Sequence, residues 1–223
     1  MPSKNTVKQY APNSYYHIYN RGVEKRDIFM DDRDYRVFLS YLKVALSPEL
    51  EEETKDEALT EIEEARLRRL RLHEDIELLS YCLMPNHFHL FVYQKDHQFA
   101  IRDLMRSVMV GYVRYFNKRY KRVGGLFQGR YKASLIDNDA YFSHISRYIH
   151  LNPKEWETYP YSSYKYYNGQ QQAVWVNPNR ILELFDNSRE DYNEFLNDYE
   201  DYRKGLEELN NYLAAPWQGP TSP

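Results

Sequence analysis

The stretch from Leu78 to Tyr93, LLSYCLMPNHFHLFVY, restricts the possible folds more than any other part of the chain. Its two apolar runs are separated by Met84-Pro85-Asn86, which predicts two neighbouring strands joined by a turn. Successive side chains of a strand point to opposite faces, so His87 and His89 share one face and Phe88 lies on the other. One face is therefore predicted to pack in the core, while the other carries two imidazoles that can reach one metal ion.

Strand and helix signals alternate along the chain up to Pro153. Short aromatic or β-branched runs predict strands, and apolar residues at helical spacing predict helices. The predicted elements are a strand in Tyr15–Gly22, a helix from Asp31 to about Ala45, strands at Glu77–Leu83 and His87–Tyr93, a helix from about Ala100 to Tyr120, a strand at Tyr131–Ile136, and a helix from Asp137–Asp139 to about Leu151. This order predicts an α+β fold with a ferredoxin-like (RRM-like) antiparallel sheet. Its helices cover one face, which leaves the other face for the final helix or for a ligand.

Two segments lie outside this pattern. Residues 47–76 are rich in Glu and Arg, and they predict a charged, mostly exposed helical insertion. Residues 154–223 begin with the Tyr-rich connector YPYSSYKYY. A helical hairpin is predicted next, at Ile181–Phe185 and Asp191–Tyr212, followed by a tail that we expect to be disordered. We therefore expect a core domain in residues 1–153 and a C-terminal helical extension in residues 154–223.

The charge is unevenly distributed, so the formal net charge of -3 does not exclude a nucleic-acid partner. Ser47–Glu77 holds twelve acidic residues against five basic ones, and Glu183–Glu208 holds ten against three. Met84–Pro153 instead holds eleven basic residues against four acidic ones. The chain has no apolar run of membrane-spanning length, no signal-peptide pattern in MPSKNTVKQY, and a single cysteine, Cys82. These features predict a cytoplasmic protein without a membrane partner.

The last core helix carries a second pair of polar residues. Tyr148 and Asn152 are four positions apart and therefore share a helix face. A tyrosine hydroxyl can act as a covalent nucleophile, and an amide oxygen is a suitable ligand for a hard cation. Spacing alone does not define a function, because such histidines and tyrosines also occur as ordinary core residues. His144 and His150 on the same helix could be rival ligands, although the sequence favours packing as their role.

Four motifs resemble those of single-tyrosine HUH transposases, in the branch called REP-associated tyrosine transposases. YCLMPNHFHLFV at Tyr81–Val92 resembles the family's metal-binding strand, and YHIYNRG at Tyr16–Gly22 resembles its first strand and turn. QGRYK at Gln128–Lys132 resembles the segment before the last strand, and RYIHLNP at Arg147–Pro153 resembles the nucleophile helix. YPYSS, from Tyr159 onward, also resembles a short motif that follows that helix. The likeness covers about residues 15–164, apart from the charged insertion, which departs from the family pattern.

The resemblance implies a role for each matched residue. His87, His89 and Asn152 match the metal ligands, Tyr148 matches the nucleophile, and the ion would be Mg²⁺ or Mn²⁺. Residues 1–153 would be the catalytic domain. The family cuts single-stranded DNA near hairpins and forms a 5′-phosphotyrosine, which a free 3′-hydroxyl can reseal without ATP. The branch resemblance favours a monomer over a homodimer.

A basic run near the third predicted helix is a candidate DNA-binding surface. It has no acidic residue, and it includes aromatic residues on which bases could stack. Its basic members are Lys118, Arg119, Lys121, Arg122, Arg130 and Lys132, to which Arg21 after the first strand is added as a weaker candidate.

Two other functions fit parts of the same pattern. A non-catalytic ferredoxin-like module could bind single-stranded RNA or DNA, although such modules stack bases on sheet aromatics, where this strand has histidines. A metal-dependent phosphodiesterase could use an activated water instead of Tyr148, and it would leave no protein-bound product.

Overall fold

The computed structural model describes residues 10–48, 59–137 and 139–198. Four strands form one antiparallel sheet in the order β2-β3-β1-β4: β1 (Ser14–Arg21), β2 (Ile76–Met84), β3 (His87–Gln94) and β4 (Lys132–Ile136). The helices are α1 (Asp32–Leu46), α2 (Glu61–Arg69), α3 (Ala100–Arg119), α4 (Asp139–His150), α5 (Tyr164–Tyr167), α6 (Asn179–Leu182) and α7 (Arg189–Asn197). The order of elements and strands is that of a ferredoxin-like fold, so the predicted α+β class is confirmed.

Helices α1 and α3 pack on one face of the sheet and bury the larger core. The Phe38 ring of α1 lies 5.1 Å from the Phe88 ring of β3 and 5.2 Å from the Tyr112 ring of α3. A Cβ at Gly111 would lie 2.4 Å from the Tyr41 ring, so glycine at this position allows the two helices to approach closely. Full burial of each such aromatic side chain contributes about 1.5–3 kcal/mol, which fixes this face of β3 as the inner one.

Helix α4 and the C-terminal extension cover the other face. Phe91 of β3 and Ile136 of β4 pack in a second buried cluster with Ile145 and Ile149 of α4. Tyr167 and other side chains of the extension complete this cluster. Of the two alternatives for this face, the final helix or a ligand, the structure shows the final helix, and one edge of the helix is left beside the histidines of β3.

The extension also covers the outer edge of β2. The amide of Leu83 donates to the carbonyl of Tyr161 (3.0 Å), and the amide of Ser163 donates to the carbonyl of Tyr81 (2.9 Å). Further along, the amide of Asn177 donates to the carbonyl of Leu78 (2.8 Å). An edge strand otherwise presents unpaired backbone groups, so these bonds tie the extension to the sheet and stabilise the edge.

The insertion and the extension are each described in part. Helix α2 begins with a capping box at Thr60 and buries only Leu67, as expected for an exposed charged helix. Positions 49–58, the predicted cap at Asn138 and everything from position 199 onward, including the rest of the last predicted helix and the tail, lie outside the described residues. None of the helices within the described ranges is long and apolar enough to cross a membrane.

Candidate active site

Tyr148 of α4 and Asn152, which lies two residues beyond the end of that helix, meet the two histidines of β3 on the second face of the sheet. Nε2 of His87 lies 3.1 Å from Oδ1 of Asn152. The Tyr148 ring centroid lies 5.2 Å from that of His89, and the two rings are nearly perpendicular. The structure thus brings together all four residues that the sequence marked as nucleophile and metal ligands.

His87 and Asn152 present lone pairs to each other. Nδ1 of His87 lies 2.6 Å from Oδ1 of Asn86. An amide oxygen only accepts hydrogen bonds, and one lies at each ring nitrogen, but the contact at Nδ1 is 0.5 Å shorter (2.6 against 3.1 Å). This difference favours a neutral ring with its proton on Nδ1 and a lone pair on Nε2. That lone pair faces the Asn152 oxygen, which also has no proton to donate. Two such atoms at 3.1 Å fit a cation held between them.

Burial keeps the imidazoles neutral. It lowers the pKa of His87, and the nearby charge of Arg21 lowers it further, while the contact with Asn152 acts in the opposite direction. Burial also lowers the pKa of His89 well below the ordinary value, with smaller contributions from His17 and His87. At neutral pH both rings therefore have the uncharged form that a metal ligand needs.

His17 and Asn86 belong to this site, but the sequence reasoning missed both. Nε2 of His17, on β1, lies 2.9 Å from Nδ1 of His89. The His17 ring is only 1% exposed, it stacks on Tyr19, and burial lowers its pKa to about 3. Strand alternation predicts only that His17 points away from the core residue Ile18, and the pairing of β1 with β3 then places it on the same face as His89.

The described residues contain no cluster of three or more His, Cys, Asp or Glu side chains arranged to hold a metal. A metal at this site would therefore depend on the amide of Asn152 as well as on the two imidazoles. This set of nitrogen and neutral oxygen donors suits a hard or borderline divalent ion and leaves coordination positions for phosphate oxygens.

A cleft of about 750 Å³ opens beside these side chains. Its described lining includes no acidic residue, and its basic residues are Arg21, Lys25, Arg130 and Lys132. The Arg21 side chain donates to Oε1 of Gln128 (2.5 Å), and the Lys132 ammonium lies 5.6 Å from the centre of the Tyr19 ring. An open, basic cleft that contains an aromatic ring is suited to single-stranded nucleic acid.

The predicted DNA-binding residues separate into two groups. Arg21, Arg130 and Lys132 line the cleft, whereas Lys118, Arg119, Lys121 and Arg122 do not. The Arg119 guanidinium bonds both Asp31 and the fully buried Asp34. This ion pair links the start of α1 to the end of α3, so Arg119 has a structural contact that its position in a basic run did not predict.

The opposite side of α4 holds a buried histidine of another kind. Nδ1 of His150 lies 2.7 Å from the hydroxyl of Tyr192, and Nε2 lies 2.8 Å from Oγ of Ser163. These three residues are called the His150 cluster below. Both ring nitrogens are occupied by residues of the extension, and His144 packs against the Phe195 ring of α7. Neither of the rival ligands considered from the sequence lines the cleft.

Comparisons with known proteins agree with this geometry. Residues 36–152, about half of the chain, match the family model described as "Transposase IS200 like". No curated protein matches the chain in sequence. The chain is similar to a solved structure described as "Structure of the REP associates tyrosine transposase bound to a REP hairpin", with a TM-score of 0.52 and 12% identity over 78% of this chain and 92% of that one. At this identity the likeness shows a shared fold, which is the fold predicted from the sequence.

Proposed function

Since the chain belongs to the IS200-like transposase family, we propose that it cuts and rejoins single-stranded DNA near hairpins with Tyr148 as the nucleophile. One observation carries the proposal: Tyr148, His87, His89 and Asn152 converge at the edge of a basic cleft, although they come from a strand and a helix far apart in sequence. The REP hairpin bound to the solved neighbour supports a hairpin substrate for this chain as well.

In the proposed reaction, the Tyr148 oxygen attacks the phosphorus of the scissile phosphodiester. A bond forms between the tyrosine oxygen and phosphorus, and the bond from phosphorus to the 3′ oxygen breaks. The tyrosine hydroxyl gives its proton to solvent, and the departing 3′ oxygen takes one from solvent. The products are a 5′-phosphotyrosine and a free 3′-hydroxyl. Attack by a second 3′-hydroxyl reverses the step and rejoins DNA.

His87, His89 and Asn152 would hold Mg²⁺ or Mn²⁺ in this site. The chemistry supplied by such an ion, once bound, is polarisation of the scissile phosphate. The chain itself contributes two neutral imidazoles, an amide oxygen and the position of the Tyr148 ring beside His89. The histidines lie on a strand and Tyr148 on a helix, with Asn152 two residues beyond the end of that helix, and these rigid elements favour accurate positioning of the nucleophile.

The basic residues of the cleft would bind the DNA backbone. Arg21, Arg130 and Lys132 lie on the same side of the sheet as the histidines, so phosphates that follow them would lead into the site. The Tyr19 ring is a candidate surface for stacking a base. Tyr148 already lies beside His89 of the same chain, which supports a monomer that acts with its own tyrosine.

The test is a denaturing gel of the protein with a labelled pool of single-stranded hairpin oligonucleotides, with and without Mn²⁺. We expect a covalent protein–DNA adduct that depends on the metal and is abolished by Tyr148→Phe. Tyr141→Phe is the matched control, because Tyr141 lies two turns earlier on α4 and does not line the cleft.

Each of the other outcomes would replace the proposal with another function. An adduct formed at the normal rate by Tyr148→Phe would mean that another residue is the nucleophile. Cleavage without any protein-bound product would indicate a phosphodiesterase that uses water. Tight, metal-independent binding without cleavage would indicate the non-catalytic module.

A further inference from the structure

Each of the two histidines of β3 is contacted at its Nδ1 nitrogen by a neighbouring side chain. Nδ1 of His87 lies 2.6 Å from Oδ1 of Asn86, and Nδ1 of His89 lies 2.9 Å from Nε2 of His17. The two contacts differ in chemistry, because one partner is an amide and the other an imidazole. They are nevertheless made at the same ring atom of the two histidines.

A neutral imidazole carries one proton, and the nitrogen that keeps it cannot bind a metal. A partner that accepts a hydrogen bond at Nδ1 therefore holds the proton there and leaves the lone pair on Nε2. The Asn86 oxygen can only accept, and its contact with Nδ1 (2.6 Å) is shorter than that of the Asn152 oxygen with Nε2 (3.1 Å), which favours the proton on Nδ1 of His87. His17 accepts when its own proton is on Nδ1, whereas the reverse arrangement would place a proton on Nε2 of His89 and exclude a metal there.

We propose that His17 and Asn86 are positioning residues that hold the protons of His89 and His87 on Nδ1, so that both Nε2 lone pairs are available to a divalent ion. This inference rests on the proposed function, because it concerns the same candidate metal site. It adds two residues that do not touch the ion themselves and assigns each a hydrogen-bond role toward one ligand. Outer partners of this kind orient the ring and set its tautomer.

Packing alone does not account for His17. The residue is 1% exposed, and its Nδ1 has no hydrogen-bond partner among the described residues. A buried polar group without a partner costs stability, and an aromatic hydrocarbon ring such as Phe would fill this volume without that cost. Among the described residues, His89 is the only hydrogen-bond partner of the His17 ring. A role toward His89 explains why a nitrogen is present at this place.

The first test is the tautomer of each ring in the metal-free protein. Long-range ¹H–¹⁵N NMR of histidine-labelled protein distinguishes Nδ1–H from Nε2–H, with assignment through single His→Gln variants. We expect Nδ1–H for both His87 and His89. An Nε2–H tautomer at His89 in the unsubstituted protein would overturn the role of His17, and the same result at His87 would overturn the role of Asn86.

The second test is Mn²⁺ affinity, measured by electron paramagnetic resonance. His17→Phe keeps a ring but loses the acceptor, and we expect Mn²⁺ to bind about 10–100-fold more weakly, the range typical for loss of an outer partner. His17→Gln restores an acceptor oxygen and should recover most of the affinity. Asn86→Ala and Asn86→Asp form the corresponding pair for His87. Unchanged affinity in both His17→Phe and Asn86→Ala would contradict the inference.

His87→Ala separates this inference from the proposed function. If His87→Ala abolishes Mn²⁺ binding while His17→Phe and Asn86→Ala do not weaken it, the metal site stands and only the positioning roles fail. If His87→Ala binds Mn²⁺ as well as the unsubstituted protein, the proposed metal site itself is wrong. The tautomers in the metal-free protein still decide the positioning roles in that case.

Discussion

The two sides of α4 use buried histidines in opposite ways. On the extension side, both nitrogens of His150 face hydroxyls, from Tyr192 and Ser163. On the cleft side, Nε2 of His87 faces the oxygen of Asn152, and neither atom has a proton to share when the neutral ring carries its proton on Nδ1, as the shorter contact with Asn86 favours. Burial lowers the pKa on both sides, so charge does not distinguish them. The partners do: hydroxyls complete His150 as a structural group, whereas the cleft leaves lone pairs that a cation can use.

The two sides are connected by the helix itself. His150 lies between Tyr148 and Asn152 in sequence and points to the other side of α4, where residues of the extension contact it. Because these contacts are buried and the extension is also bonded to β2, they restrict rotation and sliding of α4 over the sheet. The extension thus helps to keep Tyr148 and Asn152 in line with the histidines of β3.

The largest expected effect comes from the His150 cluster. His150→Phe keeps a ring of similar shape but removes both hydrogen bonds from a fully buried position. We expect the free energy of unfolding to fall by about 3 kcal/mol, because buried hydroxyls lose a partner and the packing must adjust. Urea denaturation measures the change. A variant as stable as the unsubstituted protein would show that the cluster is not structural and would break the comparison.

His87→Ala should give the opposite result. The side chain is partly exposed and its removal opens no closed cavity, so we expect less than about 1 kcal/mol of lost stability. Mn²⁺ affinity should fall by about 100-fold or more, because a ligand and not an outer partner is lost. The two measurements on His87→Ala and His150→Phe form a cross-comparison. If His87→Ala loses stability but binds Mn²⁺ as well as the unsubstituted protein, His87 is a structural residue and the cleft side is not the metal-binding side.

Local periodicity explains why much of this site could be predicted. Alternation along β3 places His87 and His89 on one face, and the four-residue spacing of Tyr148 and Asn152 predicts that they share a side, which holds although α4 ends at His150, before Asn152. The ferredoxin-like order then brings that helix to that strand. Each inference needs only a strand or helix period and the order of elements, and both can be read from the sequence.

Long-range pairing explains what could not be predicted. His17 meets His89 only because β1 pairs with β3 in a register that places Tyr19 opposite His89. Arg119 is bonded to Asp34, which lies 85 residues earlier. Neither contact follows from spacing, since a shift of one residue in strand register would move every side chain to the other face. For the same reason, Tyr192 and Ser163 could not be predicted from the sequence as the partners of His150.

In one respect the two sides should behave alike. The pKa values of His17 and His150 are both lowered by burial to about 3, whereas an unfolded chain protonates histidine near 6.5. Unfolding at a pH between these values therefore takes up a proton at each ring, so stability is full above pH 6.5 and falls as the pH is lowered. Each ring should contribute a slope of about 1.4 kcal/mol per pH unit.

Urea denaturation between about pH 5 and pH 7.5 measures that slope. In this pH range the histidines of the unfolded chain change their protonation, whereas most carboxylates stay ionised. His150→Phe and His17→Phe should each reduce the slope by about 1.4 kcal/mol per pH unit. Equal reductions would show that burial acts in the same way on both sides of α4. A reduction in only one of the two variants would mean that the other ring is already protonated in the folded protein.

The smallest expected effect tests whether DNA is bound on the cleft side alone. Arg130 lines the cleft, and Lys118 is an exposed residue of α3 outside it, although the sequence marked both as DNA-binding residues. Arg130→Ala should weaken binding of a single-stranded oligonucleotide and reduce the slope of log affinity against log salt by about 1, the change expected for one lost phosphate contact. Lys118→Ala should leave that slope close to the value of the exposed control Arg33→Ala. If Lys118→Ala reduces the slope as much as Arg130→Ala does, the DNA extends beyond the cleft, and the basic run at the end of α3 belongs to the binding surface as the sequence predicted.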